Sequence, residues 1–146
     1  MRGLSVLEVS CDKEMLNLEY IYSYLKESYW SKNIPKSLFL KSVENSLCFG
    51  AYLNDEQMGF ARVVSDFSTF AYLCDVFIDD QFKGRGYSKK LLLEVMKHPE
   101  LQGLRRFCLG TKDAQGLYEK FGFSHIRHPE NWMEINRKGL YIDGAL

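Results

Sequence analysis

The sequence is short of the features that place a protein quickly. It has no net charge, since 19 Lys and Arg balance 19 Asp and Glu, and its pI is 6.8. The basic field that a nucleic-acid surface needs is therefore missing. So is the polybasic amphipathic stretch of a helix that lies on a membrane. No apolar run approaches the roughly 18 residues of a bilayer span. The opening Met1-Arg2-Gly3-Leu4 turns polar by Ser10 without the apolar centre of a signal peptide, so the expected compartment is the cytosol. Cys11, Cys48, Cys74 and Cys108 stand singly, with no CxxC or CxxH spacing. Three of them fall in apolar runs and read as buried, reduced thiols. His98, His125 and His128 share no ligand spacing, so no metal is expected.

What is present is a globular composition, 46% hydrophobic and 26% charged over 146 residues. This reads as one domain, residues 1–146, large enough to bury a core without disulfides. Leu4 to Val9 alternates like a strand. Asp12 caps a helix expected over about 13–28, with Met15, Leu18, Ile21, Tyr22 and Leu25 on one face. Tyr29 to Pro35 is a loop carrying two large aromatics, and Pro35 opens a second helix to about Asn45.

Three strands follow: Leu47 to Leu53, Met58 to Ser65 after the turn Asn54-Asp55-Glu56-Gln57, and Thr69 to Ile78. The last is apolar on both faces except at Asp75, which marks a strand covered on both sides. Then the pattern changes. A loop from Asp79 to Arg85 leads into a helix from Tyr87 to Lys97. A strand from Leu104 to Leu109 and a short helix from Asp113 to Phe121 come next, the helix stopped by Gly122. Phe123 to Ile126 and Trp132 to Ile135 read as closing strands, with Trp132 and Met133 in the core. Hairpins first and an alternating half second make a mixed α/β protein.

The richest stretch chemically is Gln81-Phe82-Lys83-Gly84-Arg85-Gly86-Tyr87-Ser88. A strand runs into it and an apolar helix runs out. Such a loop points successive backbone N–H groups at one spot, at the positive end of a helix. Lys83 and Arg85 add charge, and the product is a cradle for phosphate. By itself G-x-G is weak, because glycine also simply makes turns. GxxxxGK[ST] and the third glycine of a dinucleotide fingerprint are both absent.

Gln81-x-x-Gly84-x-Gly86 resembles the Q/R-x-x-G-x-G/A motif of the GNAT superfamily of acyl-CoA transferases. Asp113-Ala114-Gln115-Gly116-Leu117-Tyr118-Glu119-Lys120-Phe121-Gly122-Phe123 is similar to that superfamily's A-x-x-L-Y-x-K-x-G-F helix and following strand. The two motifs stand in family order at family separation, and the likeness runs from about Leu4 to Tyr141. The stretches 46–64, 71–78 and 101–123 further resemble an uncharacterised bacterial branch of single-domain GNAT proteins.

The resemblance implies a central mixed sheet of six to seven strands with about four helices on its two faces. It implies acetyl-CoA as co-substrate, held along Val76, Phe77 and Ile78 through the pantetheine arm and by the amides of Lys83, Gly84, Arg85, Gly86, Tyr87 and Ser88 through the pyrophosphate. It makes Tyr118 the acid that protonates the departing thiolate, and a homodimer the expected assembly. It places Tyr29 and Trp30 on the loop that walls the acceptor pocket, with core packing as the rival reading. Two positions depart from the pattern: Thr111 stands where relatives often carry Asn, and Gln115 where the similar branch often has His.

Acetyl transfer to an amine needs a neutral amine, and an alkyl amine titrates near 10.4, so a base or a proton-accepting water is required. Asp75 is the candidate base or substrate anchor, because a lone carboxylate in an apolar strand is costly unless it has a purpose. Its other reading is a structural partner for Arg62 on the neighbouring strand. Arg62 and Asp66 either bind a polar substrate or solvate a strand end. The expected acceptor is a primary amine of a small molecule or a peptide. A non-catalytic acyl-CoA sensor on the same fold is the alternative, and a nucleotide-phosphate module is disfavoured by the missing fingerprints.

Overall fold

The structure, a computed structural model, describes residues 6–141. Its chain order is β1 (Glu8–Ser10), α1 (Leu18–Leu25), α2 (Lys36–Glu44), β2 (Leu47–Leu53), β3 (Glu56–Ser65), β4 (Phe70–Ile78), α3 (Tyr87–Lys97), β5 (Arg106–Leu109) and α4 (Gln115–Glu119). Single 3-10 turns lie at Lys13–Met15, Asp80–Phe82, Pro99–Leu101 and Pro129–Asn131. The five strands form one sheet in sequence order, antiparallel from β1 to β4 and parallel between β4 and β5.

The sheet separates two apolar layers. On one face Ile21 and Leu25 of α1 and Phe39 and Val43 of α2 pack on Cys48, Phe60 and Phe77. On the other, Leu91, Leu92 and Val95 of α3 pack on Phe49, Ala61, Val63 and Leu73. The β2–β3 hairpin closes through Asn54 and Asp55, both at positive φ (50° and 67°). That is the two-residue turn whose twist matches paired strands, and Asn and Asp tolerate it best.

The stretch expected as one long first helix is divided. Asp12 accepts from the Glu14 amide and starts only a 3-10 turn. Leu16 is extended, and Asn17 then caps α1 by accepting from the Tyr20 amide at 3.1 Å. Two caps in one stretch give two starts, and Met15 is left exposed. β1 is paired from Glu8 onward, and the part of its expected span over residues 4–5 lies outside the described residues.

The sheet has five strands among the described residues rather than six or seven. Phe123 to Ile126 and Trp132 to Ile135 take no strand partner. Trp132 and Met133, expected in the core, are 39% and 97% exposed. An alternating apolar pattern forms a strand only when a neighbouring edge accepts it.

β4 contains the irregularity that shapes the molecule. Phe60 pairs with Phe77 and Arg62 with Cys74, so Asp75 and Val76 together stand opposite Ala61. Asp75 has φ 53°, a conformation uncommon for a non-glycine residue. One extra residue reverses the side-chain alternation beyond it. Ala71 and Leu73 face α3, whereas Phe77 faces α1 and α2 and Val76 and Ile78 return to the α3 side. The unbroken apolar run around Asp75 conceals this bulge in the sequence.

Candidate active site

The sheet opens beside β4. β5 pairs with it only from Phe70 to Leu73, so from Cys74 to Ile78 the side of β4 that faces β5 carries no strand among the described residues. Phe77 and Ile78 use their other side on Phe60 and Gly59 of β3. The gap continues into a cavity of about 1050 Å³, walled by Tyr20 and Tyr24 of α1, Tyr29 and Trp30, β4 itself, and Leu117 and Tyr118.

At one end of the cavity lies the glycine loop. Tyr20 donates its hydroxyl to Asp79 at 2.9 Å, and burial, reinforced by that carboxylate, pushes the phenol well above its ordinary range. Tyr24 stacks on Phe77 with centroids 3.9 Å apart and reaches Asp80 at 3.3 Å. Asp80 also pairs with Lys83 at 2.8 Å, across the exposed rim. Beyond Lys83, Gly84 and Gly86 adopt φ 79° and 82°. A Cβ on either would meet nothing within 4 Å, so the backbone conformation, not crowding, demands glycine there.

α3 then starts with no side-chain cap and no acid in its first turn. Its first turn carries Lys89 and Lys90 instead. Two cations at the positive pole of a helix oppose its dipole, and an anion there would reverse the sign of the interaction. Lys120 belongs to the same positive surface, since the Lys89 ammonium beside it holds its own pKa down. The residues present therefore fit a phosphate-bearing ligand.

At the other end stands Tyr118. Burial, with a smaller contribution from Tyr29, raises its pKa, so the hydroxyl is protonated at neutral pH. Its ring meets Phe123 edge to face, with centroids 6.0 Å apart. Thr111 accepts from the Ala114 amide at 3.1 Å, and Gln115 donates to the Thr111 carbonyl at 3.2 Å. The two departures from the family pattern thus hold the turn into α4.

Asp75 lies between the ends, 9% exposed, with both carboxylate oxygens engaged. Oδ2 accepts from Arg62 Nε at 2.8 Å and Oδ1 from Trp30 Nε1 at 2.8 Å. Arg62 also donates from Nη1 to Ser46 at 2.9 Å. This knot ties the bulge of β4 to β3 and to the loop between α1 and α2. It satisfies a carboxylate that would otherwise be unpaired in a nearly closed site.

Of the residues expected from the sequence, the structure brings Tyr29, Trp30, Asp75, Val76, Phe77, Ile78, Lys83 and Tyr118 around one cavity. Gly84 to Ser88 continue from Lys83 into α3. Arg62 sits behind Asp75 rather than in the cavity wall. Asp66 stands apart from the cavity. Its carboxylate accepts from the amides of Ser68, Thr69 and Phe70 and from the Thr69 hydroxyl, and holds the β3–β4 turn. Cys74 lines the cavity, but burial pushes its thiol up to about 12, which leaves it protonated and unreactive.

The sequence reading missed Tyr20 and Tyr24. Their spacing of four residues on α1, leading toward Tyr29-Trp30, was the available signal. It missed Lys112 as well, whose ammonium lies 5.5 Å from the Tyr29 ring centroid.

A sheet opened by a bulged strand, with an uncapped helix start at one end of the gap and a protonated tyrosine at the other, defines the architecture of the acyl-CoA transferases. A family model described as the acetyltransferase (GNAT) family matches residues 13–123. A solved structure from Xanthomonas campestris pv. campestris, assigned to the GNAT acetyltransferases, is 46% identical with a TM-score of 0.92, covering 95% of this chain and 99% of that one. A sequence from Gibberella zeae assigned as an acetyltransferase is 30% identical, covering 77% of this chain and 75% of its own. A protein from Clostridium acetobutylicum described as a predicted acetyltransferase and solved with acetyl-CoA shares the fold at 15% identity and a TM-score of 0.65, over 91% of this chain and 96% of that one. The chain belongs to the GNAT acetyltransferase family.

Proposed function

We propose that this chain is an acetyl-CoA-dependent N-acetyltransferase that moves an acetyl group to a primary amine by direct attack. The observation that carries this reading is the continuous gap along Cys74 to Ile78, which runs from Lys83 on the loop ahead of α3 to Tyr118. Bound acetyl-CoA supplies a thioester whose carbonyl carbon takes the amine and whose sulfur leaves. Lys83 to Ser88 bind the pyrophosphate through backbone amides, and Lys89 and Lys120 add charge nearby. The uncovered edge of β4 pairs with an amide-bearing arm as it would with another strand.

Tyr118 holds a proton at its Oη and gives it to the leaving sulfur. Asp75 fixes the bulge and the Trp30 wall. Each of its oxygens already accepts a hydrogen bond, so the ammonium first gives its proton to water, and the neutral amine then attacks. Tyr20, Tyr24, Tyr29 and Trp30 offer aromatic faces, and Glu27, Asp79 and Asp80 lie along the same cavity. Aromatic faces with carboxylates attract a cationic amine of modest size. We place the protein in the cytosol, as one domain.

The test is CoA release against a panel of primary amines, with Tyr118→Phe beside the wild type. The expected result is turnover with at least one amine and a kcat lowered about 10- to 100-fold in the variant, at the low end of acid–base catalysis because a thiolate is already a fair leaving group. A variant with full kcat would remove Tyr118 as the acid. Acetyl-CoA binding without release for any amine would favour the sensor instead.

A further inference from the structure

Two lysines line the large cavity, and they are held differently. Lys83 sits at the glycine-loop end and pairs with Asp80 at 2.8 Å. Lys112 sits on the turn into α4, six residues before Tyr118, and makes no ion pair among the described residues. Three of the cavity's carboxylates are already paired, Glu27 with Lys32, Asp75 with Arg62 and Asp80 with Lys83. The Gln115 side chain donates to the carbonyls of Thr111 and Lys112 and so fixes the backbone of this turn.

What holds the Lys112 ammonium is a row of contacts across the gap. Trp30 is anchored to Asp75 on β4 at 2.8 Å. Its ring meets Tyr29 edge to face, with centroids 5.1 Å apart. The Tyr29 ring in turn has the Lys112 ammonium 5.5 Å from its centroid. Tyr29 is also close enough to Tyr118 to contribute to the rise in its pKa. The row therefore runs from the bulge of β4 to the turn that leads to Tyr118, and it keeps a primary amine on the Tyr118 side of the cavity. A cation over an exposed ring is held weakly, so Lys112 leaves that seat readily.

We propose that Lys112 is a self-acetylation site: acetyl-CoA seated in the gap gives its acetyl group to Nζ of this lysine when no free amine occupies the cavity. The ammonium first gives a proton to water, which reaches it past the exposed Tyr29. The neutral nitrogen then attacks the thioester carbonyl, a C–N bond forms and the C–S bond breaks. The nitrogen loses its second proton to water, and the departing sulfur takes one from Tyr118, which water restores. The products are an amide at Lys112 and free CoA. Holding amine and thioester in one cavity supplies a proximity that a surface lysine lacks. The amide is neutral, so the attraction to the Tyr29 ring ends and the cavity loses this cation. Self-acetylation rests on acetyl-CoA as the co-substrate, but it needs no free acceptor, because its readout is the mass of the chain.

The test is to incubate the full chain with acetyl-CoA and no added amine. Acetylated positions are mapped over time by peptide mass spectrometry, and acetyl-CoA binding is measured by calorimetry on the same sample. The expected result is one preferred site, Lys112, acetylated at least about tenfold faster than exposed lysines such as Lys41 and Lys138. Excess CoA, which fills the gap without an acetyl group, should suppress Lys112 and leave the slow surface background. Lys112→Arg keeps a cation over Tyr29 but carries no amine to acylate, and should show that background alone. Acetyl-CoA bound with Lys112 unmodified, or modified no faster than Lys41 and Lys138, overturns the self-acetylation and leaves the acetyl-transfer reading standing. Acetylation of Lys112 that excess CoA does not slow comes from solution and overturns it as well. A chain that binds no acetyl-CoA overturns both readings.

Discussion

The antiparallel region from Leu47 to Ile78 and the C-terminal stretch from Phe123 to Ile135 carry similar strand-like sequence and behave differently. In the first, most apolar side chains are buried, with Val64, Phe67 and Tyr72 the exposed exceptions, and the carboxylate of Asp75 is tied by two hydrogen bonds. In the second, the alternation is as good but no strand among the described residues pairs with it. Strand propensity expresses a fit to a neighbour, and the neighbour decides. The first region finds its neighbours through turns of two and four residues. The second requires an edge that the subunit leaves open.

The largest expected effect sharpens this contrast from the closed side. Arg62→Ala leaves the Asp75 carboxylate nearly buried and unpaired on its Oδ2 side. Loss of one partner of such a pair costs about 3–5 kcal/mol, read as the shift in urea midpoint against wild type. A change below roughly 1 kcal/mol would show that the knot is better hydrated than its burial implies, and would weaken the contrast.

The next prediction turns to the open gap. Gly84→Glu puts a carboxylate and a left-handed side chain into the loop ahead of α3. We expect acetyl-CoA binding to weaken at least 100-fold by calorimetry, with stability lowered by only about 1–2 kcal/mol, the ordinary cost of that backbone region. Gly84→Ala carries the same strain without the charge, so it retains affinity within about tenfold if electrostatics dominates. Equal losses in both variants would instead make the loop's backbone shape the controlling feature.

The smallest effect lies at the turn that precedes β4. Three backbone amides and the Thr69 hydroxyl hold the Asp66 carboxyl well below its usual range, with the Thr69 amide the leading cause. A carboxyl depressed in the folded state contributes stability above its unfolded pKa near 3.9, and that stability disappears as pH falls through the lower folded value. Asp66→Asn keeps an acceptor but loses the charge. It should lower stability slightly at pH 7 and flatten the acid limb of a stability–pH curve below about pH 4. An unchanged acid limb would show that the turn is held by other bonds.

Much of the candidate site was legible in order along the chain. Gln81 to Ser88 stood out because glycine spacing ahead of a helix start is a local feature, whereas Tyr118 was singled out by the resemblance of its helix to the family's second motif. Tyr20, Tyr24 and Lys112 were not legible as site residues. Their membership depends on α1 and the turn after β5 meeting over β4, which no local pattern states. Arg62 and Asp66 looked alike in sequence, both charges near a strand. One proved to be the partner of Asp75, and the other spends its carboxylate on its own turn.

By itself the sequence determined the α/β class, the spans of β2 and α3 and the glycine loop ahead of α3, and two motifs in register carried the family resemblance, because each rests on periodicity or on residues close together in the chain. Tertiary structure alone decided three things. It placed the bulge at Asp75, which reverses the alternation of β4 by a shift that an all-apolar run cannot display. It set where β5 stops, and hence where the gap opens. It left the two closing segments without a strand to pair with, because pairing needs an edge and no residue can supply its own neighbour.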